Sequence, residues 1–306
     1  MGLFKDRNSR TPAVLFDPPF EVLRPAEASC SLVFNSPHSG SVYPEKFVES
    51  SKLDSHALRR SEDALMDVLF GPVVRFGAPL LKVNFPRAYL DVNREPYELD
   101  PAMFAHPLPD YVNTSSMRVA GGLGTIPRVV SETEEIYAAP LEFSDAAQRI
   151  HDLYLPYHAC LENLLNQTRK KFGEVLLLDC HSMPSASLSA AGNPSRRRPD
   201  FVLGDRYGST CHSAITDFLE SALSDAGFSV ARNKPYAGGH ITQHYGRPAH
   251  QRHSIQIEVN RALYMNEETL EAESGFGELQ DSLMQIMENL AAQMPGILYP
   301  GRLAAE

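Results

Sequence analysis

The feature that most constrains this sequence is the run EVLLLD over residues 174–179, which is followed at once by the polar segment CHSMP. A short apolar run of this length predicts a buried strand. Further strands are predicted over 31–34, 80–83, 88–92, 200–203, 228–232 and 253–259, and helices over 53–70, 144–171, 210–226 and 279–294. Strands that alternate with helices predict an α/β sandwich with a largely parallel or mixed sheet.

The organisation along the chain favours a single domain over residues 1–306, because α/β enzymes of this length often form one. Gly and Pro interrupt the pattern at about 96–140, which we interpret as a long functional insertion. The helix over 144–171 is expected to begin with Ser144 as N-cap and to kink at Pro156. The basic run SRRR at 195–198 predicts a solvated loop.

Composition and charge argue against several classes of partner. Lys and Arg number 28 against 38 Asp and Glu, and the formal net charge of −10 disfavours nucleic acid. The longest apolar runs fall far short of the ~20 residues that cross a bilayer, and the first residues lack the apolar core of an export signal. The four cysteines are scattered without a C-x-x-C pair, which is typical of reduced thiols. We therefore expect a cytoplasmic protein without a membrane partner.

Two histidines follow predicted strands, at the edge of the sheet where α/β proteins bind ligands. His38 lies in SPHSG after the first strand, and His181 lies in CHSMP after the 174–179 strand. A neutral imidazole in such a turn is a good ligand for a divalent metal ion. The alternative for each is a structural histidine that is hydrogen-bonded within its turn.

A catalytic metal ion needs a third protein ligand, and the candidates are two neighbouring carboxylates. Asp63 is favoured over Glu62, and both are expected near the start of an amphipathic helix. The alternative for this acidic pair is simple stabilisation of the helix dipole. Asp179 lies two residues before His181, so strand alternation puts both on one face, where Asp179 either orients the histidine or caps the turn.

Hydrolysis at a metal ion also needs a carboxylate that takes the proton of the attacking water. Glu258 is the candidate, because alternation along the 253–259 strand places it on a polar face with Ser254, Gln256 and Asn260. The alternative is an edge strand with a solvated face.

Three arginines are candidates for binding an anionic substrate. Arg87 and Arg94 lie in PRAYLDVNREP, and either guanidinium near the metal ion would select acidic substrates through charge-assisted hydrogen bonds. The alternative is a structural ion pair with Asp91. Arg128 follows the flexible GGLGTIP segment, and we expect this loop to fold over a bound ligand.

The remaining histidines give weaker signals. His240 and His244 in GGHITQHYG are spaced i, i+4, but flanking glycines and the lack of H-E-x-x-H favour a loop, with roles that are either substrate-proximal or structural. His250 and His253, flanked by Gln and Arg, are expected at the surface.

Taken together, the segments resemble the N-formylglutamate amidohydrolase family over about residues 30–290. They occur in family-like order and spacing: NSPHSG, SEDALMDVLF, LDVNREP, GLGTIPRVV, YHACLENLL, LLLDCHSMP, PDFVLGDRYG, PYAGGHITQHYG and IQIEVNRALYM. The resemblance implies a three-layer αβα sandwich with a mixed, largely parallel central sheet, similar to zinc carboxypeptidases and aminoacylases. It also implies hydrolysis of N-formyl-L-glutamate to formate and glutamate at the end of a histidine degradation route.

The resemblance assigns roles to matching positions. It implies a zinc ion, or another divalent ion such as Co or Mn, held by His38, Asp63 and His181, with Glu258 as general base. The substrate, a small acidic N-acyl amino acid, would be bound by Arg87, Asn93 and Arg94. The residues themselves add Arg128 and His240 as candidate substrate contacts. His38 lacks the H-x-x-E of carboxypeptidases, so the carboxylate ligand comes from elsewhere in the chain.

Three alternatives remain open from the residues. One is a zinc aminoacylase or exopeptidase that acts on another N-acyl amino acid or peptide. Another is a binding protein for acidic amides without catalysis, which the presence of Glu258 disfavours. A serine hydrolase is disfavoured because G-x-S-x-G is absent from the sequence. A monomer and a homo-oligomer are equally compatible with the sequence.

Overall fold

The computed structural model describes residues 12–130, 134–185 and 199–299. The chain divides into two compact units, one of Met1–Glu21, Ser41–Ser61 and Asn84–Ala159 and the other of Val22–Gly40, Glu62–Val83 and Cys160–Glu306. The single domain expected from the sequence stays a prediction. The basic run at 195–198 lies outside the described residues.

A mixed seven-stranded sheet with helices on both sides forms the centre of the fold, as the sequence predicts. Its order is β1-β3-β2-β4-β7-β5-β6. β2 pairs in parallel with β3 and β4, β4 with β7, and β5 with β6, whereas β5 runs antiparallel to β7. The strands are β1 Phe20–Leu23, β2 Leu32–Ser36, β3 Leu80–Val83, β4 Val175–Met183, β5 Phe201–Gly204, β6 Val230–Arg232 and β7 Arg252–Asn260.

The two faces of the central strands differ in chemistry because side chains alternate along a strand. One face carries apolar side chains that are fully buried, among them Leu32, Phe34, Leu176, Leu178, Ile255 and Ile257. They form one core with α4 Met66–Phe70, α8 Ser213–Asp225 and α10 Phe276–Leu298. The opposite face carries the polar residues of β4 and β7, against which α9 His240–Tyr245 packs.

The first unit holds short helices and turns. Its helices are α1 Pro12–Leu15, α2 Glu45–Glu49, α3 Ser55–Arg59, α5 Met117–Ala120 and α6 Phe143–Arg149, with a 3₁₀ turn at Pro101–Met103. The insertion at 96–140 contributes buried residues to this unit, including Leu99, Ile126 and Ile136. The strand expected over 88–92 is wrong, because the amides of Tyr89 and Leu90 both donate to the carbonyl of Pro86 and turn the chain.

Two helix predictions need correction. The segment 53–70 forms α3 and α4 with a turn between them, where Leu65 adopts a left-handed conformation with φ of 65°. The predicted helix over 144–171 starts at Phe143 with Glu142 at its N-cap position, and a π-helical turn over Ile150–Tyr154 joins α6 to α7 Leu155–Phe172. Pro156 follows that turn; it has no N–H to donate, which fits the local change of helix type.

Other predictions are confirmed. The four cysteines are free thiols. The closing helix is present and longer than expected, as α10. None of the helices in the described part of the chain combines the length and the apolar composition needed to span a bilayer.

Candidate metal centre

Three adjacent strands bring the predicted residues together at one end of the sheet. His38 follows β2, and His181 lies within β4, which continues to Met183 instead of ending at Asp179 as expected. The longer strand follows from its parallel pairing with β7, in which His181 lies opposite Glu258 and Asp179 opposite Gln256. The alternation argument paired Asp179 with His181 and Gln256 with Glu258 correctly, and the register places the two pairs on one face of the sheet.

Asp63 joins the site through a turn that local periodicity conceals. Its backbone N–H donates to the carbonyl of His38 at 2.9 Å, and its carbonyl accepts from the amide of Met66 at 3.2 Å. The chain is thus held against the His38 turn and starts α4 only afterwards. This arrangement brings the Asp63 carboxylate, rather than that of Glu62, to the two histidines.

The three side chains form a buried cluster with the geometry of a metal site. Oδ2 of Asp63 lies 3.0 Å from Nδ1 of His181 and 3.4 Å from Nδ1 of His38, and the ligand atoms all lie within 4.8 Å of one another. Two ligands that are each about 2.1 Å from a tetrahedral ion lie ~3.4 Å apart. Two imidazoles and one carboxylate are also a donor set of catalytic zinc sites, so the residues present fit a divalent ion.

The electrostatics of the cluster favour the charged carboxylate. Burial opposes ionisation of Asp63, but hydrogen bonds and charge interactions with His181 and His38 outweigh it and hold the pKa of Asp63 well below its ordinary value. Burial likewise opposes protonation of His181, but Asp179 and Asp63 outweigh it and raise the pKa of His181 well above its ordinary value. The site therefore attracts a cation strongly, and a metal ion would compete there with a proton.

Asp179 orients His181, as expected for a residue on the same strand face. Its Oδ2 lies 3.2 Å from Nε2 of His181, which leaves Nδ1 of the ring on the side of Asp63. The same carboxylate accepts hydrogen bonds from Asn35 Nδ2 at 2.9 Å and from Thr242 Oγ1 at 3.3 Å. A carboxylate in this position fixes the tautomer and the ring orientation of a ligand histidine.

Glu258 is buried and accepts a hydrogen bond from Gln256, a residue that the sequence analysis predicted only to share its strand face. Gln256 Nε2 donates to Glu258 Oε1 at 2.6 Å, while Gln256 Oε1 accepts from the backbone N–H of Gly239 at 2.7 Å. Gln256 thus joins the candidate base to the start of α9. Its signal in the sequence was the i, i+2 spacing from Glu258.

His240 lies at the first position of α9, so the loop predicted for this segment is wrong. The rings of His240 and His244 stack with centroids 5.3 Å apart, as the i, i+4 spacing permits on one side of a helix. Buried Ile241, Thr242 and Tyr245 anchor this short helix between the flanking glycines. His253 is also placed wrongly by the sequence, because it is buried within β7 instead of exposed.

The arginines predicted to bind substrate lie in the first unit, where they form ion pairs with acidic side chains. Asp91 Oδ2 accepts from Arg87 Nε at 2.9 Å and lies 3.5 Å from Arg94 Nη2. Arg94 also donates to the carbonyls of Leu123 and Asn93. Burial lowers the pKa of Arg94 to about 10, although Asp91 opposes this shift, so the guanidinium stays charged at neutral pH.

Arg128 also lies in the first unit. It donates from Nε to Asp100 at 2.8 Å and from Nη1 to Glu135 at 3.2 Å. These contacts tie the loop after GGLGTIP to two carboxylates.

Comparison with known proteins shows what this chain is similar to. The sequence model of the N-formylglutamate amidohydrolase family matches residues 30–265. N-formylglutamate deformylase of Pseudomonas putida is 29% identical over 194 residues, which cover 62% of this chain and 66% of that protein. N-formylglutamate deformylase of Pseudomonas aeruginosa is 26% identical over 251 residues, which cover 81% and 87%. The crystal structure of N-formylglutamate amidohydrolase from Ralstonia eutropha JMP134 is 38% identical, has a TM-score of 0.84, and is matched over 90% of this chain and 97% of that one.

Proposed function

This chain belongs to the N-formylglutamate amidohydrolase family, and from that premise we propose that it hydrolyses N-formyl-L-glutamate to formate and L-glutamate at a divalent metal ion. The observation that carries the proposal is the buried cluster of His38, Asp63 and His181, with Glu258 opposite His181 on the adjacent strand. The names of the two Pseudomonas relatives and of the Ralstonia structure support the substrate.

The chain's own residues supply the proton transfers. A bound zinc, cobalt or manganese ion would polarise the formyl carbonyl and lower the pKa of the attacking water. Glu258 takes a proton from that water as the new C–O bond forms at the formyl carbon. Glu258 then gives the proton to the nitrogen as the C–N bond breaks, and formate and glutamate, with its amino group now free, are released. The hydrogen bond from Gln256 keeps one oxygen of Glu258 in place during both transfers.

We propose substrate-binding roles for Arg87, Asn93, Arg94, Arg128 and His240. Arg87 is a candidate ligand for a substrate carboxylate, because 25% of its side chain stays exposed while its Nε donates to Asp91. Arg94 is more deeply buried and donates to backbone carbonyls, so its proposed role in substrate binding includes holding the loop that carries Asn93.

The cellular role belongs to the same proposal. Free cysteines are typical of the reducing cytoplasm, which supports a cytoplasmic location. The family resemblance supports a role at the end of a histidine degradation route.

A substrate panel with metal analysis tests the proposal. The purified protein should contain about one divalent ion per chain and release formate from N-formylglutamate, and a chelator should abolish the reaction until metal is restored. N-formylglutamine, which lacks the γ-carboxylate, should be a poor substrate. Faster hydrolysis of N-acetyl or peptide substrates would support the aminoacylase or exopeptidase alternative, and tight binding without turnover would support a binding protein.

A further inference from the structure

Asp63 has two carboxylate oxygens, and the structure gives them different surroundings. Oδ2 lies against Nδ1 of both histidines, at 3.4 Å from His38 and 3.0 Å from His181. Oδ1 accepts from Ser182 Oγ at 3.0 Å and lies 3.4 Å from Arg261 Nη2. One oxygen therefore belongs to the candidate metal centre, while the other belongs to a hydrogen-bonded network outside it.

Arg261 is the centre of that network. It follows β7 directly, three residues after Glu258, and is only 6% exposed. Its Nε donates to Ser182 Oγ at 3.0 Å, so the serine hydroxyl is oriented to donate its own hydrogen bond to Oδ1 of Asp63. Its Nη2 donates to the carbonyl of Glu62 as well as facing Asp63. One guanidinium thus holds both the backbone before Asp63 and the far side of its carboxylate.

We infer that Arg261, with Ser182, is a positioning residue that makes Asp63 a single-oxygen metal ligand through Oδ2. This inference rests on the proposed metal-dependent function. A carboxylate binds an ion through one oxygen or through both. Because Ser182 and Arg261 hold Oδ1, only Oδ2 of Asp63 is left to coordinate the ion. A three-ligand site with an open position is the arrangement that hydrolysis at a zinc ion requires, and a second Asp63 oxygen would fill that position.

The planar fork of arginine explains why this residue type stands here. Arg261 directs Nε to Ser182 and, at the same time, Nη2 to both the Glu62 carbonyl and Asp63. A lysine ammonium carries the same charge but is a compact group that lacks this fixed geometry. Charge and positioning can therefore be separated by substitution.

Cobalt binding to the purified full-length protein tests the inference without substrate. Apoprotein of wild type, Arg261→Met, Arg261→Lys and Ser182→Ala is titrated with Co²⁺ in competition with a chromophoric chelator, and the visible d–d bands are recorded. We expect Arg261→Met and Arg261→Lys to bind Co²⁺ roughly 10- to 100-fold more weakly, the usual effect of losing a residue that supports a metal ligand. Their bands should weaken as the second oxygen of Asp63 enters and the coordination number rises. Ser182→Ala should shift both readouts in the same direction.

Arg252→Met is the matched control. Arg252 is the first residue of β7, the strand that Arg261 follows. It makes a bidentate ion pair with Glu162, at 2.8 and 2.7 Å. Its loss should lower the thermal midpoint and leave the Co²⁺ affinity and spectrum unchanged. A general loss of stability is thereby distinguished from a change in Asp63 coordination.

The outcomes separate this inference from the function on which it rests. Wild-type protein that binds no Co²⁺ would overturn the proposed metal centre together with the inference. A folded Arg261→Met protein with wild-type affinity and bands would overturn the inference alone, as would full restoration in Arg261→Lys, because charge would then suffice. If Arg261→Met does not fold, Ser182→Ala decides, and an unchanged spectrum in that variant refutes the positioning role.

Discussion

The burial of His253 should make the stability of this protein depend on pH in a defined window. The residue lies at the second position of β7 and is 2% exposed. Its Nδ1 accepts from the backbone N–H of His212 at 3.3 Å, and its Nε2 has no hydrogen-bond partner among the described residues. Burial, together with the charge of His212, lowers the pKa of His253 from 6.5 to about 4.

The sign and size of the effect follow from this shift. Between pH 6.5 and 4 the unfolded chain binds a proton at His253 and the folded protein does not, so the free energy of unfolding falls as the pH falls through this window. The stabilisation is fully present above pH 6.5. The limiting loss is about 3.4 kcal/mol, at ~1.36 kcal/mol for each unit of pKa. At pH 5 the expected loss is about 2 kcal/mol.

Urea unfolding at pH 7.5 and pH 5 measures this loss, with a chelator present so that release of metal in acid does not contribute. Wild type should lose about 2 kcal/mol more than His253→Gln between these two pH values. The control is His250→Gln, which removes an exposed histidine three residues earlier and should behave as wild type. Equal losses in wild type and His253→Gln would refute the argument, because other groups would then account for the whole acid response.

The remaining predictions concern the metal centre and the substrate. Glu258→Gln should keep its metal and lose turnover by a factor of roughly 10² to 10⁴, measured as kcat with metal analysis, and a near-normal rate would remove Glu258 from the proton transfers. His181→Ala should lose the metal while Glu62→Gln retains it, and elemental analysis showing the reverse for Glu62 would move the carboxylate ligand to that residue. Asp179→Asn should weaken metal affinity about 10- to 100-fold in a chelator competition, and wild-type affinity would limit Asp179 to a structural role. Arg87→Ala should retain metal and lower kcat/KM for N-formylglutamate by roughly 10- to 150-fold, whereas an equal loss on N-formylglutamine, which keeps the α-carboxylate, would show that Arg87 does not bind the γ-carboxylate.

The part of the site on β4 and β7 was predictable because strand periodicity is a local property. Side chains two apart in a strand share a face, so His181 with Asp179 and Glu258 with Gln256 could be paired before the fold was known. The parallel register then sets one pair opposite the other. The sequence did not indicate the full length of β4, because the polar segment CHSMP directly after Asp179 is typical of a turn.

Asp63 shows where local periodicity fails. The apolar spacing across 53–70 predicts a continuous helix, and a continuous helix would have placed the acidic pair differently. The turn exists because the backbone of Asp63 bonds to His38, a residue twenty-five positions earlier. Contacts of this separation leave no trace in a window of eleven to eighteen residues.

His253 and His240 fail for a related reason. Gln251 and Arg252 make the neighbourhood of His253 look solvated, but burial is decided by the elements that cover β7. Glycines around His240 favour a loop, yet Ile241 and Tyr245 are buried at helical spacing and hold one and a half turns of helix in place. Burial of an apolar face supplies stability that a short helix lacks on its own.

Ligands and the residues that position them differ in how visible they are in a sequence. His38, His181 and Glu258 could be singled out because few residue types bind a metal ion or move a proton, and because all three lie close to the carboxyl end of a strand. Ser182 and Arg261 are ordinary residue types without a motif, and they meet Asp63 across separations of 119 and 198 residues. Only the register of β4 with β7, which sets Ser182 opposite Val259, brings the serine beside the arginine that follows the strand. The chemistry of such a centre is therefore predicted from residue types, whereas the geometry that we propose makes Asp63 a one-oxygen ligand depends on strand pairing.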